Sequence, residues 1–277
     1  MKDIIHPNEL LELYPSKTLV LLDVRTNPKK YAESHLKDAI WVDIETELAH
    51  KSDNAAQGGR HPLPSVEEFC STLGRWGISP AHHVVAYDDI SGANAAARVW
   101  WMLKALGHPS VQVLDGGFQA AVAAGFPTNA ETPQVESIAP YPADAWLLPT
   151  YDMEEVGIVA QKTDDYMVVD VRDSARFKGY VEPIDLIAGH IPGAVNMPFK
   201  DNLDEQGFFL SPEQLKENYT TAFGKRPAQN VVVHCGSGIT ACHTLLALSY
   251  AGLQIPNLYV GSWSEWSRNG REIGRED

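Results

Sequence analysis

The stretch Val231-Val232-Val233-His234-Cys235-Gly236-Ser237-Gly238-Ile239-Thr240 runs from β-branched residues into a cysteine and then into a loop with two glycines. A short continuous apolar run suits a strand covered on both faces, and the glycines mark a sharp turn at its carboxyl end. Residues 240–250 then read as a helix. Strand, turn and helix in that order form one unit of an α/β fold with a largely parallel sheet, whose active sites gather at strand carboxyl ends. Cys235 stands at such an end.

The same unit occurs earlier in the chain. Val84-Val85-Ala86-Tyr87-Asp88 matches Val231-Val232-Val233-His234-Cys235 at an offset of 147, and Leu22-Asp23-Val24-Arg25 recurs as Val169-Asp170-Val171-Arg172 at the same offset. His35-Leu36-Lys37-Asp38-Ala39 recurs as His190-Ile191-Pro192-Gly193-Ala194, Ser65-Val66-Glu67-Glu68-Phe69 as Ser211-Pro212-Glu213-Gln214-Leu215, and Gly116-Gly117-Phe118 as Gly261-Ser262-Trp263. Matches kept in order over such a span imply a duplicated domain, not a short-period solenoid. Residues 19–24, 84–87 and 111–114 read as buried strands of the first half, with 167–171, 231–234 and 258–260 as their partners; 94–106 reads as a helix. The prolines at 127, 133, 140, 142 and 149 resist regular structure and read as a linker. The expected organisation is a first domain over 1–127, a linker over 128–149 and a second domain over 150–277.

Composition narrows the function classes. With 22 basic and 36 acidic residues the net charge is −14, against binding to nucleic acid or an anionic membrane, both of which need a basic footprint. Three cysteines, an odd number with no CxxC pair, argue against a disulfide framework and a structural zinc site. The amino terminus carries early charge and proline without a long apolar run, so neither a signal peptide nor a membrane span is expected, and the chain reads as cytoplasmic.

Glycines let successive loop N–H groups point inward as an anion-binding nest, and the following helix adds its positive end. A thiol placed there is expected to have a lowered pKa and to react as thiolate. The same cradle stabilises a persulfide anion, with Ser237 and Thr240 adding hydroxyls. Two chemistries fit. Cysteine phosphatases use His-Cys-five residues-Arg, but the arginine position here holds Ala241, which removes the bidentate phosphate clamp. A cysteine phosphatase or arsenate-type reductase is therefore the alternative, and a non-enzymatic persulfide carrier is a third reading.

The Cys-Gly-Ser-Gly-Ile-Thr loop, Gly189-His190-Ile191-Pro192-Gly193-Ala194 and Gly261-Ser262-Trp263-Ser264-Glu265-Trp266 together resemble the tandem-domain rhodanese superfamily, which includes thiosulfate and 3-mercaptopyruvate sulfurtransferases. The resemblance spans nearly the whole chain. It implies two rhodanese-like α/β domains, each a mainly parallel sheet flanked by helices, with the site at the cleft between them. The catalytic cysteine lies only in the second, Asp88 taking its place in the first. It implies sulfur carried on Cys235 as a persulfide, a small-molecule donor and a thiol or cyanide acceptor, reduced thioredoxin included, with no metal or organic cofactor. The Gly236-Ser237-Gly238 loop is similar to that of the mercaptopyruvate-type members, with thiosulfate as the other donor. Gly236, Gly238, Ile239 and Thr240 would cradle the substrate, and Arg176 maps onto the family's substrate-anion arginine. A second arginine that such enzymes commonly carry falls at Ile184 here, leaving Lys178 or Arg60 to replace it.

Repetition separates scaffold from chemistry. Arg172 and His190 have counterparts in Arg25 and His35, so a structural use is expected for all four. Gly58-Gly59-Arg60-His61-Pro62 has no counterpart, and the first half is eight residues longer between its matched Ala39 and Asp88 than the second between Ala194 and Cys235. Insertions confined to one repeat often build a functional face. The resemblance implies a proton relay of His61, Asp43 or Glu45, and Ser237; a surface histidine is the other reading. Cys242 is expected to be buried, and Trp263 and Trp266 to pack on a helix.

Overall fold

The computed structural model describes residues 2–50, 52–93 and 95–276, so Asn94, at the start of the expected 94–106 helix, lies outside the described residues. The chain forms two compact units. The first comprises Met1–Ala49, Pro64–Leu147 and Asp204–Phe209, and the second comprises His50–Leu63, Leu148–Leu203 and Leu210–Asp277.

In the first unit the strands are β1 (Ile4–Ile5), β2 (Leu19–Asp23), β3 (His35–Leu36), β4 (Ile40–Trp41), β5 (His83–Tyr87), β6 (Val111–Leu114) and β7 (Thr128–Asn129). A five-stranded sheet takes the order β1-β6-β5-β2-β4 with every pairing parallel. The helices are α1 (Pro7–Leu13), α2 (Pro28–Glu33), α3 (Val66–Arg75), α4 (Ala96–Ala105) and α5 (Gly117–Ala123). Leu10, Leu21, Val85, Tyr87 and Leu114 belong to one buried cluster. β7 pairs antiparallel with β3, so Thr128 and Asn129 depart from the linker expectation of no regular structure. Pairing with β3 outweighs the local bias of the neighbouring prolines. The rest of the proline-rich segment follows the first unit's surface, with Ile138 N–H donating to Gly74 and Tyr141 N–H to Cys70.

The second unit contains β8 (Thr150–Tyr151), β9 (Met167–Asp170), β10 (Val195–Asn196), β11 (Val231–His234) and β12 (Asn257–Tyr259). Its order, β10-β9-β11-β12-β8, is that of the first sheet with each strand replaced by its repeat, again all parallel. The helices are α6 (Met153–Val159), α7 (Ser174–Phe177), α8 (Pro212–Phe223), α9 (Ala241–Tyr250) and α10 (Ser262–Trp266). Val156, Val168, Val232, Tyr259 and Trp263 form a buried cluster. No helix among the described residues is long and apolar enough to cross a membrane.

Several repeated motifs are scaffold. Ser65 with Glu68 and Ser211 with Gln214 are capping boxes that start α3 and α8, each satisfying two orphan N–H groups. Arg25 grips Asp23 through Nε and Nη2 and donates to the Ser34 carbonyl, while Arg172 grips Asp170 in the same way and donates to Gly189. His35 stacks on Tyr31 and reaches its carbonyl; His190 does the same with Phe177. The structural expectation for these pairs stands, though Arg172 also reaches Glu182, a contact without a first-half copy.

The loop after β5 shows what this architecture does when it holds its own anion. Asp88, fully buried, accepts from the N–H groups of Ile90 at 2.8 Å, Gly92 at 2.8 Å and Ala96 at 3.2 Å. Buried N–H groups deprived of an acceptor carry a desolvation penalty each. Asp88→Ala is therefore expected to destabilise the protein by about 3 kcal/mol, read from equilibrium urea unfolding. A loss below about 1 kcal/mol would show that the carboxylate does not hold the loop.

Candidate functional site

β11 ends at His234 and delivers Cys235 into the loop that precedes α9. The loop is held open from outside. Ser262 Oγ accepts from the Cys235 N–H at 3.2 Å, while the Trp263 and Ser264 N–H groups donate to the carbonyls of Cys235 and Gly236 at 3.0 and 2.8 Å. The repeated Gly261-Ser262-Trp263 motif thus pins the loop, and Phe118 N–H donates to Asp88 in the first half in the same manner. Gly238 has φ +76°, and a Cβ there would lie 2.5 Å from the Val260 carbonyl oxygen, so this turn requires glycine.

Among the described residues, the N–H groups of Gly236, Ser237, Ile239 and Thr240 have no acceptor. They surround the carboxyl end of β11, where Cys235 is only 2% exposed. In the first half the amides of Ile90 and Gly92, in the places of Ser237 and Ile239, close on the Asp88 carboxylate together with that of Ala96; in the second no protein acceptor takes their place among the described residues. The Thr240 hydroxyl makes no cap hydrogen bond, whereas Ser237 Oγ lies 2.8 Å from His61 Nδ1.

His61 is buried, not a surface residue. It arrives on the insertion 50–63, which belongs to the second unit. The Gly58 N–H donates to Glu265 at 2.7 Å and the Arg60 N–H to Ser264 Oγ at 3.0 Å. Gly59 has φ +80°, and a Cβ there would collide with the Gly261 carbonyl, which accounts for the paired glycines before Arg60 and His61. Asp43 and Glu45 belong to the first unit, where Asp43 accepts from Glu45 N–H and Thr46 Oγ1.

Arg176 lies in the last turn of α7, beside the loop. A Cβ placed on Gly236 would lie 3.2 Å from Arg60 Nη2 and 3.6 and 3.7 Å from Arg176 Nη2 and Nη1. Two guanidinium groups therefore flank the residue after Cys235. Arg176 is held by Glu182 at 2.6 Å and Asp185 at 3.4 Å; Arg60 is held by Asp185 at 3.1 Å. Arg268 donates to the same Asp185 at 3.0 Å. Lys178 instead pairs with Glu276, and Ile184 is exposed, so of the two replacements considered only Arg60 stands at the loop. The sequence reading missed Glu182 and Asp185 as anchors and Arg268 altogether. The signal was present in two carboxylates set within the otherwise apolar run Tyr180-Val181-Glu182-Pro183-Ile184-Asp185-Leu186-Ile187.

Burial acts on these groups unevenly. It would raise the Asp170 carboxyl, but the charges of His234 and Arg172 and the hydrogen bonds from Arg172 hold it below its ordinary value. Burial likewise works against Glu182, and the bonds from Arg176 and the Asp185 amide outweigh it. His234 is lowered because complete burial disfavours its cation, despite the pull of Asp170. Its Nδ1 lies 3.1 Å from the Cys235 carbonyl and its Nε2 3.8 Å from Asp170 Oδ2. The arrangement suits a nucleophilic thiolate, an anion bound against two guanidiniums, and a proton relayed through Ser237 and His61.

The Rhodanese-like domain description matches residues 6–124 and 157–269. The chain is 42% identical over 254 residues to the "Probable 3-mercaptopyruvate sulfurtransferase" of Pseudomonas aeruginosa, covering 91% of this chain and 87% of that one. It is 38% identical over 242 residues to the thiosulfate sulfurtransferase of Gallus gallus, covering 86% and 80%. Among solved structures, 3-mercaptopyruvate sulfurtransferase from Leishmania major superposes with a TM-score of 0.83 at 30% identity, covering 96% of this chain and 74% of that one.

The His234 environment makes stability depend on pH. The unfolded chain takes up a proton near the ordinary histidine pKa of about 6.5, while the buried ring resists it. The stabilisation from neutral His234 is full above that pH and is lost as pH falls through 6.5 toward the lower folded value. His83 and His108, lowered mainly by burial, add to the same slope. His234→Tyr, which installs the first half's residue, is expected to flatten the fall in urea midpoint between pH 7.5 and pH 5.5. An unchanged slope would exclude His234 as a contributor.

Proposed function

The chain belongs to the rhodanese-like domain family, and from that premise we propose that it is a sulfurtransferase working through a Cys235 persulfide. The observation that carries this reading is the set of four unspent loop amides around Cys235, with Arg60 and Arg176 next to them. The amides stabilise one negative charge on sulfur, first as thiolate and then as persulfide. The guanidiniums hold the acidic end of the donor.

With 3-mercaptopyruvate, the Cys235 thiolate attacks the donor sulfur, a sulfur–sulfur bond forms, and the donor's carbon–sulfur bond breaks. The electron pair of that bond leaves on the enolate of pyruvate. The thiol's proton passes by way of Ser237 and His61 to the enolate carbon, leaving Cys–S–S⁻ and pyruvate. With thiosulfate, the outer sulfur transfers and sulfite departs, with no proton to move. In either case the outer sulfur then passes to a thiol, reduced thioredoxin among the candidate acceptors, or to cyanide. His61, Ser237 and Cys235 are the proposed catalytic residues, and Arg176, Gly236, Gly238, Ile239 and Thr240 the proposed substrate cradle, with Arg60 in place of the missing arginine at 184. Cys70, Cys235 and Cys242 are thiols outside any disulfide, which supports work in a reducing compartment such as the cytoplasm.

Incubation with either donor is expected to add one sulfur by intact mass, and Cys235→Ser is expected to add none. Phosphate-ester turnover without sulfur loading would sink the reading. His61→Gln is expected to lower turnover with 3-mercaptopyruvate on the order of 100-fold while thiosulfate turnover falls far less. An equal loss with both donors would remove His61 from the proton path.

A further inference from the structure

Asp185 is enclosed by three arginines, with no side-chain surface exposed. It accepts from Arg60 Nε at 3.1 Å, Arg176 Nη2 at 3.4 Å and Arg268 Nη1 at 3.0 Å. Its own N–H donates to Glu182 Oε1, which also receives Arg176. Glu182 in turn joins Arg172, and Arg172 joins Asp170. The connected network holds the four cations of Arg60, Arg172, Arg176 and Arg268 and the three carboxylates of Asp170, Glu182 and Asp185.

One positive charge is thus left over, beside a cysteine loop whose amides serve the sulfur anion. Nη1 of Arg60 and of Arg176 makes no bond among the described residues, and both guanidiniums border the Gly236 position. An incoming donor meets two forks of donors backed by a carboxylate only one contact further away. Each negative charge on the donor feels that carboxylate's repulsion, so a dianion is disfavoured twice as strongly as a monoanion.

Resting on the sulfurtransferase reading above, we propose that Asp185 is a specificity-determining residue that biases the site toward a monoanionic sulfur donor over a dianionic one. Mercaptopyruvate with its thiol protonated is the monoanion, and thiosulfate is the dianion. Asp185 acts through Arg60 and Arg176 and touches no donor itself, so it is a positioning residue. Arg268 sets the strength of its effect, because it neutralises Asp185 at 3.0 Å while its Nη1 also donates to the Ser264 carbonyl at 2.8 Å.

The test compares kcat/KM for thiosulfate with kcat/KM for 3-mercaptopyruvate, followed by sulfite and pyruvate release on the full chain. Asp185→Asn is expected to raise the thiosulfate-to-mercaptopyruvate ratio by about tenfold or more and to steepen its salt dependence. Arg268→Gln is expected to move the ratio the other way, down by about tenfold, because Asp185 loses a neutralising partner. Asp185→Glu, which keeps the charge, is expected to hold the ratio within about threefold of the starting protein. A merely structural role would lower both donors alike in both variants. An unmoved ratio, or a shift of the same sign in Asp185→Asn and Arg268→Gln, overturns the proposal. Should Asp185→Asn fail to fold, Arg268→Gln decides alone, a fall supporting the charge rule and any other result overturning it. Loading of Cys235 by neither donor in the unmutated chain would instead overturn the sulfurtransferase reading itself.

Discussion

A helix that begins at the end of a buried strand leaves N–H groups pointing at one spot, and something negative has to be there. That constraint organises both halves of this chain. After β5 the problem is solved within the chain by the Asp88 carboxylate, which takes three of the amides. After β11 the residue in the same place is Cys235, and the amides of Gly236, Ser237, Ile239 and Thr240 are left over. A neutral thiol answers such a field poorly, whereas a sulfur anion answers it well. The reactivity proposed for Cys235 is thus the other side of a requirement that the scaffold imposes at both sites.

Holding the loop in this unsatisfied state takes support from outside it. Ser262, Trp263 and Ser264 fix its carbonyls and its first N–H, so the remaining amides cannot turn away to find other partners. The same stretch then seats the insertion that carries Arg60 and His61, through Ser264 and Glu265. Arg60 and Arg176 are oriented by buried carboxylates. Ion pairs of this kind add little net stability once desolvation is counted, but removing one partner leaves a charge stranded. What they secure is geometry: two flexible side chains are confined to one arrangement beside Gly236 before any donor arrives.

Much of the scaffold was legible in the sequence because it is written in local patterns. The valine-rich runs gave the strands within a residue or so, and their repetition implied two sheets of like order, which β1-β6-β5-β2-β4 and its copy are. Ser65 and Ser211 stood out in the sequence only as a repeated pair, and their role as capping boxes at helix starts emerged with the partners in view. The site was legible where it sits on one local segment, from Cys235 to Thr240. It was less so where it depends on residues far apart in sequence. His61 and Ser237 meet across a long separation, and apart from the family resemblance the unmatched Gly-Gly-Arg-His-Pro insertion was the signal of a special use. Asp185 and Arg268 escaped notice because a single buried carboxylate has no periodicity and no spacing rule. The β3–β7 pairing escaped for a related reason, since proline content predicts irregular backbone and says nothing about an edge available to two of the residues.

The two halves also show how few changes separate a scaffold from a reactive site. Tyr87 donates to Asp23 at 2.7 Å, while His234, the residue in its place, stands 3.8 Å from Asp170 and turns its Nδ1 toward Cys235. Arg25 and Arg172 keep the same grip on their aspartates, but only Arg172 extends to Glu182 and so into the arginine network. Anion recognition is thereby divided between two places. In the proposed reaction the loop amides face a charge on sulfur that is one unit before and after transfer, so they have no need to release anything between half-reactions. The guanidiniums are the groups that, in the same proposed reaction, meet the acidic end of a donor that arrives, reacts and must leave. Four arginines without carboxylates would bind that product tightly. Three carboxylates among them leave a single unit of positive charge, which is the balance between capture and release that the proposed two-step transfer requires.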